Sequence, residues 1–139
     1  MEEFWMVLKI IDYSEVYFLD LCEEEVPPLR KGKFVVLEKF QEKYLIFSPY
    51  SLSQYHANIV ERFLNGLKVE GTYNLKGDHY FLDSSEWTIL GGGHWKMDEE
   101  EGLLVLSGFS QSYGGVNLKA LAEEIQETGT FGKIQIFGE

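Results

Sequence analysis

Hydrophobic and polar positions alternate along most of this chain, which is the spacing of half-buried strands. "FWMVLKII" and "EVYFLDL" flank "DYS" and read as a hairpin, which Pro27-Pro28 closes as an elbow. "KFVVLEKF" and "KYLIFSP" flank a polar turn at Gln41-Glu42 and read as a second hairpin. "VEGTYNL" and "HYFLD" surround Lys76-Gly77-Asp78, a good turn signal. "EWTIL" runs into Gly91-Gly92-Gly93, "HWKMD" and "LLVLSGF" bracket an acidic turn, and "KIQIFG" is a last strand. The period changes in two places. Residues 48–67, "SPYSLSQYHANIVERFLNGL", and residues 117–127, "NLKALAEEIQE", carry apolar side chains at helical spacing. Two helices among many strands predict an α+β fold with α/β-type layers: a mixed β-sheet of about six strands, one helix on each face, and an extra N-terminal β-hairpin.

The first helix raises a question of chemistry. At about 100° per residue, Tyr55, Ile59, Phe63, Val60, Leu64 and Leu67 share one arc, and His56 falls near its middle. Gln54, Asn58, Glu61, Arg62 and Asn65 fill the opposite side. Ser51 with Gln54 makes a capping box, Ser53 competes as N-cap, and Asn65-Gly66 is a stop. His56 is therefore an inward-facing imidazole in the first turn or so, either a core histidine or a functional one.

Two glycine-bearing segments add to this. "GFSQSYGGVN" joins an apolar strand to the second helix, where backbone N–H groups and the Ser110 and Ser112 hydroxyls can face an anion. It is not a Walker A loop, because no Gly-Lys-Ser/Thr ends it. An ordinary glycine-rich turn is the alternative. "ILGGGHW" implies a bulge or a close backbone approach, and a tight sheet bend accounts for it as well. His56, His79 and His94 show neither a short ligand pair nor a cysteine partner, so no metal site is expected. A Gly-x-Ser-x-Gly elbow is also missing.

Composition narrows the setting. The 139 residues suit one domain, and 45% hydrophobic with 15% aromatic residues argue against disorder. A net charge of −11 disfavours nucleic acid as a partner but not a small phosphorylated ligand held by local donors. The runs Glu23-Glu24-Glu25 and Asp98-Glu99-Glu100-Glu101 lack calcium-loop spacing. No apolar run approaches the ~20 residues that cross a bilayer, and the start does not look like a signal peptide. The lone Cys22 cannot form an internal disulfide, so a reducing, cytoplasmic location is expected.

Three segments in order resemble the Janus/Ocnus family, whose best-known activity is the small phosphohistidine phosphatase. "YHANI" (55–59) resembles the family's Tyr-His-Ala-Asp-Ile, "LGGGH" (90–94) its Leu-Gly-Gly-Gly-Arg, and "GFSQSYGG" (108–115) its Gly-Tyr-Ser-x-Ala-Tyr-Gly. "EKYLIF" matches a strand bearing a Lys-Tyr pair, here Lys43-Tyr44. The likeness runs from about residue 33 to the C-terminus, giving one domain over 1–139 with 1–28 as an N-terminal extension. That extension, with Trp5 and Tyr17, fits an added edge pair. What the resemblance implies is a metal-independent, cofactor-free phosphatase acting on histidine-phosphorylated protein, with phosphate or sulfate as the small anion. His56 falls on the catalytic histidine, as general base or phosphoryl acceptor. Lys43 falls on a substrate-binding lysine, and Ser110, Gln111, Ser112, Tyr113 and Gly114 fall on the phosphate loop. His94 stands where the family has an arginine, which removes one fixed bidentate charge, and Asn58 replaces an acidic residue. These departures raise the alternative of a non-catalytic phosphate- or phosphoprotein-binding regulatory domain.

Overall fold

The computed structural model describes residues 7–137. Eight strands and two α-helices follow one another as β1 (Val7–Asp12), β2 (Leu29–Lys39), β3 (Glu42–Pro49), α1 (His56–Gly66), β4 (Gly71–Tyr73), β5 (Tyr80–Leu82), β6 (Thr88–Asp98), β7 (Leu103–Ser107), α2 (Leu118–Thr128) and β8 (Lys133–Phe137). Six strands form one sheet in the order β1-β3-β2-β6-β7-β8, and β4 and β5 pair separately. β1 is parallel to β3 and β7 to β8, while the central pairings are antiparallel, so the sheet is mixed. The α+β architecture with a helix on each face is present.

Strand alternation sorts the core into two layers. Phe34, Val36, Leu45, Phe47, Trp95, Leu104 and Leu106 point to one face and pack under Leu118, Leu121 and Ile125 of α2. Val35, Leu37 and Ile46 point to the other, under Ile59, Val60, Phe63 and Leu64 of α1. Burying a side chain of this kind contributes about 1.5–3 kcal/mol, so each layer holds its helix firmly. Trp87 and Tyr80 extend the α1 layer toward the β4–β5 hairpin.

The N-terminal segment differs from the expected hairpin. β1 pairs in parallel with β3 and adds an edge to the main sheet, and Val16–Leu21 winds into a π-helical turn. The cause lies in "DYS". Asp12 Oδ1 accepts both the Ser14 N–H (2.9 Å) and the Ser14 hydroxyl (2.6 Å), so these residues start a helix and do not reverse a strand. The Cys22 N–H then reaches back five residues to the Tyr17 carbonyl. Trp5 lies outside the described residues.

β6 passes through all three glycines as one strand, without the alternative sheet bend, and the expected bulge is present beside Gly91, where the register against β2 shifts between Val36 and Leu37. Start signals at Ser51 and Ser53 are not used by α1. Its N-cap is Tyr55, whose N–H donates to Asn58 Oδ1 (2.8 Å), while Ser53 is buried against the Ser48 hydroxyl (2.7 Å).

Candidate functional site

His56 is the first residue of α1, is 6% exposed, and lies over the glycine run of β6. Its Nε2–H donates to the Gly93 carbonyl (2.8 Å). A neutral ring with its proton on Nε2 carries its lone pair on Nδ1. The glycines make this approach feasible. A methyl group at Gly92 would sit 2.8 Å from His56 Cδ2, and one at Gly93 would strike the Phe34 ring at 2.8 Å. At Gly91, φ is +150° and a methyl would meet the Gly115 carbonyl oxygen at 2.7 Å. The triple glycine therefore admits an imidazole on one face, an aromatic ring on the other, and the 108–115 loop at its end.

Burial is the main cause that lowers the His56 pKa, to about 4; the Gly93 hydrogen bond opposes this, and Lys33 and His94 reinforce it. The ring is thus neutral at pH 7. His94 follows on β6, two residues from Gly92 and on the same face. Its ring meets that of His56 edge-on at 5.7 Å, and its Nδ1 shares a 2.7 Å hydrogen bond with the Tyr50 hydroxyl. Burial first, and then Lys33, lowers its pKa below the usual histidine value. A methyl group at Gly108 would lie 2.8 Å from His94 Cδ2, so this glycine lets the loop close over the ring.

These groups line a cleft of about 370 Å³ together with Lys33, Tyr55, Asp78, Phe109, Gln111 and Ser112. The loop is shaped from within. Ser110 and Gly114 exchange backbone hydrogen bonds (3.1 and 2.8 Å), and the Tyr113 N–H donates to Ser110 Oγ (3.1 Å). Among the described hydrogen bonds, none is donated by the Gln111 or Ser112 N–H. Both residues line the cleft, so two successive backbone amides without a partner in the protein stand at the loop tip. Tyr113 anchors the loop: its hydroxyl donates to the Tyr80 carbonyl (3.0 Å) and accepts from the Tyr80 N–H (2.8 Å). The Ser112 hydroxyl donates to the Asp78 carbonyl (2.5 Å), tying the loop to the β4–β5 hairpin.

Of the residues singled out in the sequence, the cleft brings together His56, His94, Gln111 and Ser112. Ser110, Tyr113 and Gly114 support it without lining it, and the Ser110 hydroxyl is buried in the loop's own bond. Lys43 is elsewhere. It shares parity with Leu45 and Phe47, so it faces α2, where its ammonium pairs with both Glu124 oxygens at 3.0 Å. The cation in the cleft is Lys33, which pairs across strands with His94. Its ammonium donates to the Gln54 carbonyl and stands 5.7 Å from the Tyr55 ring centroid, and burial lowers its pKa. Sequence reading missed Lys33. The available signal was parity with Val35 and Leu37, the α1-facing positions of the same strand. Asp78, Tyr50 and Phe109 were missed as well, since only the fold carries them to this spot.

A larger hollow, about 550 Å³, opens on the α2 face around Arg30. Arg30 there is already bound by Glu99 (2.9 Å) and the Pro27 carbonyl (3.0 Å), so size alone does not mark the site. Among the described residues, no three His, Cys, Asp or Glu side chains converge to hold a metal, and no helix is long and apolar enough to cross a membrane.

A model of the Janus/Ocnus family matches residues 33–136. The chain belongs to the Janus/Ocnus family. No curated protein matches it. The match begins at Lys33, so it takes in each residue that lines the cleft and omits β1 and the π-helical turn.

Proposed function

We propose that this Janus/Ocnus protein is a phosphohistidine-phosphatase-like hydrolase that cleaves phosphoramidate P–N bonds without a metal or cofactor. The observation that carries the reading is a neutral His56, with Nδ1 free, in one cleft with Lys33 and the unpaired loop amides. The phosphoryl oxygens sit on the Gln111 and Ser112 N–H groups, and Lys33 offsets one negative charge. Water attacks phosphorus in line with the leaving nitrogen, and His56 Nδ1 takes the water's proton. The P–N bond breaks with its electron pair going to nitrogen, which takes a proton from solvent, and His56 Nδ1 returns the water's proton to solvent, restoring the neutral ring. A pKa of about 4 makes the free ring a weak base. A bound phosphoryl anion stabilises the imidazolium, so basicity rises when substrate is present.

Hydrolysis of phosphohistidine or phosphoramidate, with chelator present, tests this. His56→Ala and Lys33→Ala are expected to lose at least about a hundredfold and tenfold in kcat/KM, respectively. Lys43→Ala is expected to keep the native rate, since its partner is Glu124 on the opposite face. Equal rates for the native chain and His56→Ala would remove the proposal.

His94 favours a second reading. It is held by Tyr50 and has a lowered pKa, so it does not supply the fixed charge of an arginine. A phosphate-recognising domain without turnover follows from that loss. It would bind phosphate, raise the melting temperature, and leave phosphoramidate intact.

A further inference from the structure

α1 covers only part of its face of the sheet. Beyond it, β6, β7 and β8 leave a groove of about 530 Å³, which shares His94 and adjoins the anion cleft. Its floor has an unusual charge pattern. Lys31 stands directly opposite Lys96 across β2 and β6, and Lys33 stands opposite His94 two residues further along. Like charges placed directly opposite in an antiparallel pair are unfavourable. Among the described residues neither Lys31 nor Lys96 has an ion-pair partner, in a chain of net charge −11. Asp98 lies one row further out, where its Oδ1 accepts the Glu101 N–H (3.2 Å) in the β6–β7 turn. Val105 and Phe137 form an apolar flank.

Two basic rows on one face of a strand are about 6.6 Å apart, the advance of two residues in any extended chain. An extended polypeptide lying along β2 and β6 therefore presents to the second row the side chain two positions from the one at the first. We propose that the groove seats the polypeptide flanking the phosphorylated residue, and that Lys31 and Lys96 take an acidic side chain two residues away from it. This rests on the phosphatase reading above. It names the substrate class: an acidic segment in extended conformation.

The test compares two phosphohistidine peptides, one with Glu at both positions two residues from the phosphohistidine, the other with Gln there. Phosphoramidate, which carries no flanking side chains, serves as reference. At low salt the native protein is expected to favour the Glu peptide about three- to tenfold in kcat/KM, and the preference shrinks at high salt. In the Lys31→Gln/Lys96→Gln double variant the ratio falls to about one, while phosphoramidate turnover stays native. A native ratio near one, or a preference that survives the double substitution, overturns the subsite. Absence of phosphoramidate turnover in the native protein would instead sink the phosphatase reading. The two peptides are then compared by equilibrium binding, and equal affinities overturn the subsite.

Discussion

At the scale of single residues, parity and burial decide what each group can do. Lys33 and Lys43 look alike in the sequence, each beside an aromatic residue at the start of a β-run. Their positions relative to Val35 and Leu45 send one into the cleft and the other under α2. His56 was legible from helical spacing alone. Its partner was not, because Gly93 meets it only through sheet pairing. The depressed pKa of His56 has a measurable consequence. Between pH 6.5 and 4 the unfolded chain takes up a proton that the folded chain refuses. The stability that goes with the neutral ring is fully present above about pH 6.5 and is lost as pH falls toward 4, a total loss of about 3 kcal/mol. His94, also lowered by burial, acts in the same direction. Denaturant unfolding from pH 7 to 4 is expected to show a shallower loss of stability in His56→Gln than in the native protein. Identical pH dependence in the two would contradict the buried, neutral ring.

At the scale of elements, the long periodic segments were readable and the irregular ones were not. α2 falls within a residue of its expected span, with Asn117 Oδ1 accepting the Ala120 N–H (3.0 Å) and Gly129 in the left-handed region at φ +71°. α1 starts after Tyr55 and not at the serine signals, because Ser53 and Ser48 satisfy each other in the core, which leaves the capping to Asn58. "EVYFLDL" has the composition of a strand, yet the Asp12–Ser14 turn commits it to a helix. The 108–115 loop shows how an element can depend on a distant anchor. Tyr113→Phe removes two hydrogen bonds and strands the Tyr80 N–H and carbonyl. The expected cost is about 1–3 kcal/mol of stability, with a higher KM for phosphoramidate and little change in kcat. Unchanged KM and stability would show that the loop holds its shape without this tie.

At the scale of the molecule, the sheet places its two chemistries on one face. α1 delivers the imidazole, the crossing of β2 and β6 delivers Lys33 and His94, and the β4–β5 hairpin closes the side through Asp78 and Ser112. Lys33 is the one fixed positive charge lining this cleft, with Asp78 opposing it, in a chain of net charge −11, so the proposed anion would depend on local hydrogen-bond donors. The layers and the mixed sheet could be foreseen from period and hairpin signals. The cleft could not, because it is assembled from strands whose register no local pattern states. The proposed function requires His56 Nδ1 and the loop amides to address one anion. The direct measurement is an NMR pH titration of the His56 ring, with and without saturating inorganic phosphate. A pKa near 4 is expected in the free protein, with an upward shift on binding and the Gln111 and Ser112 amide signals moving together with the ring. A ring that titrates near 6.5 and ignores phosphate would contradict the proposed function.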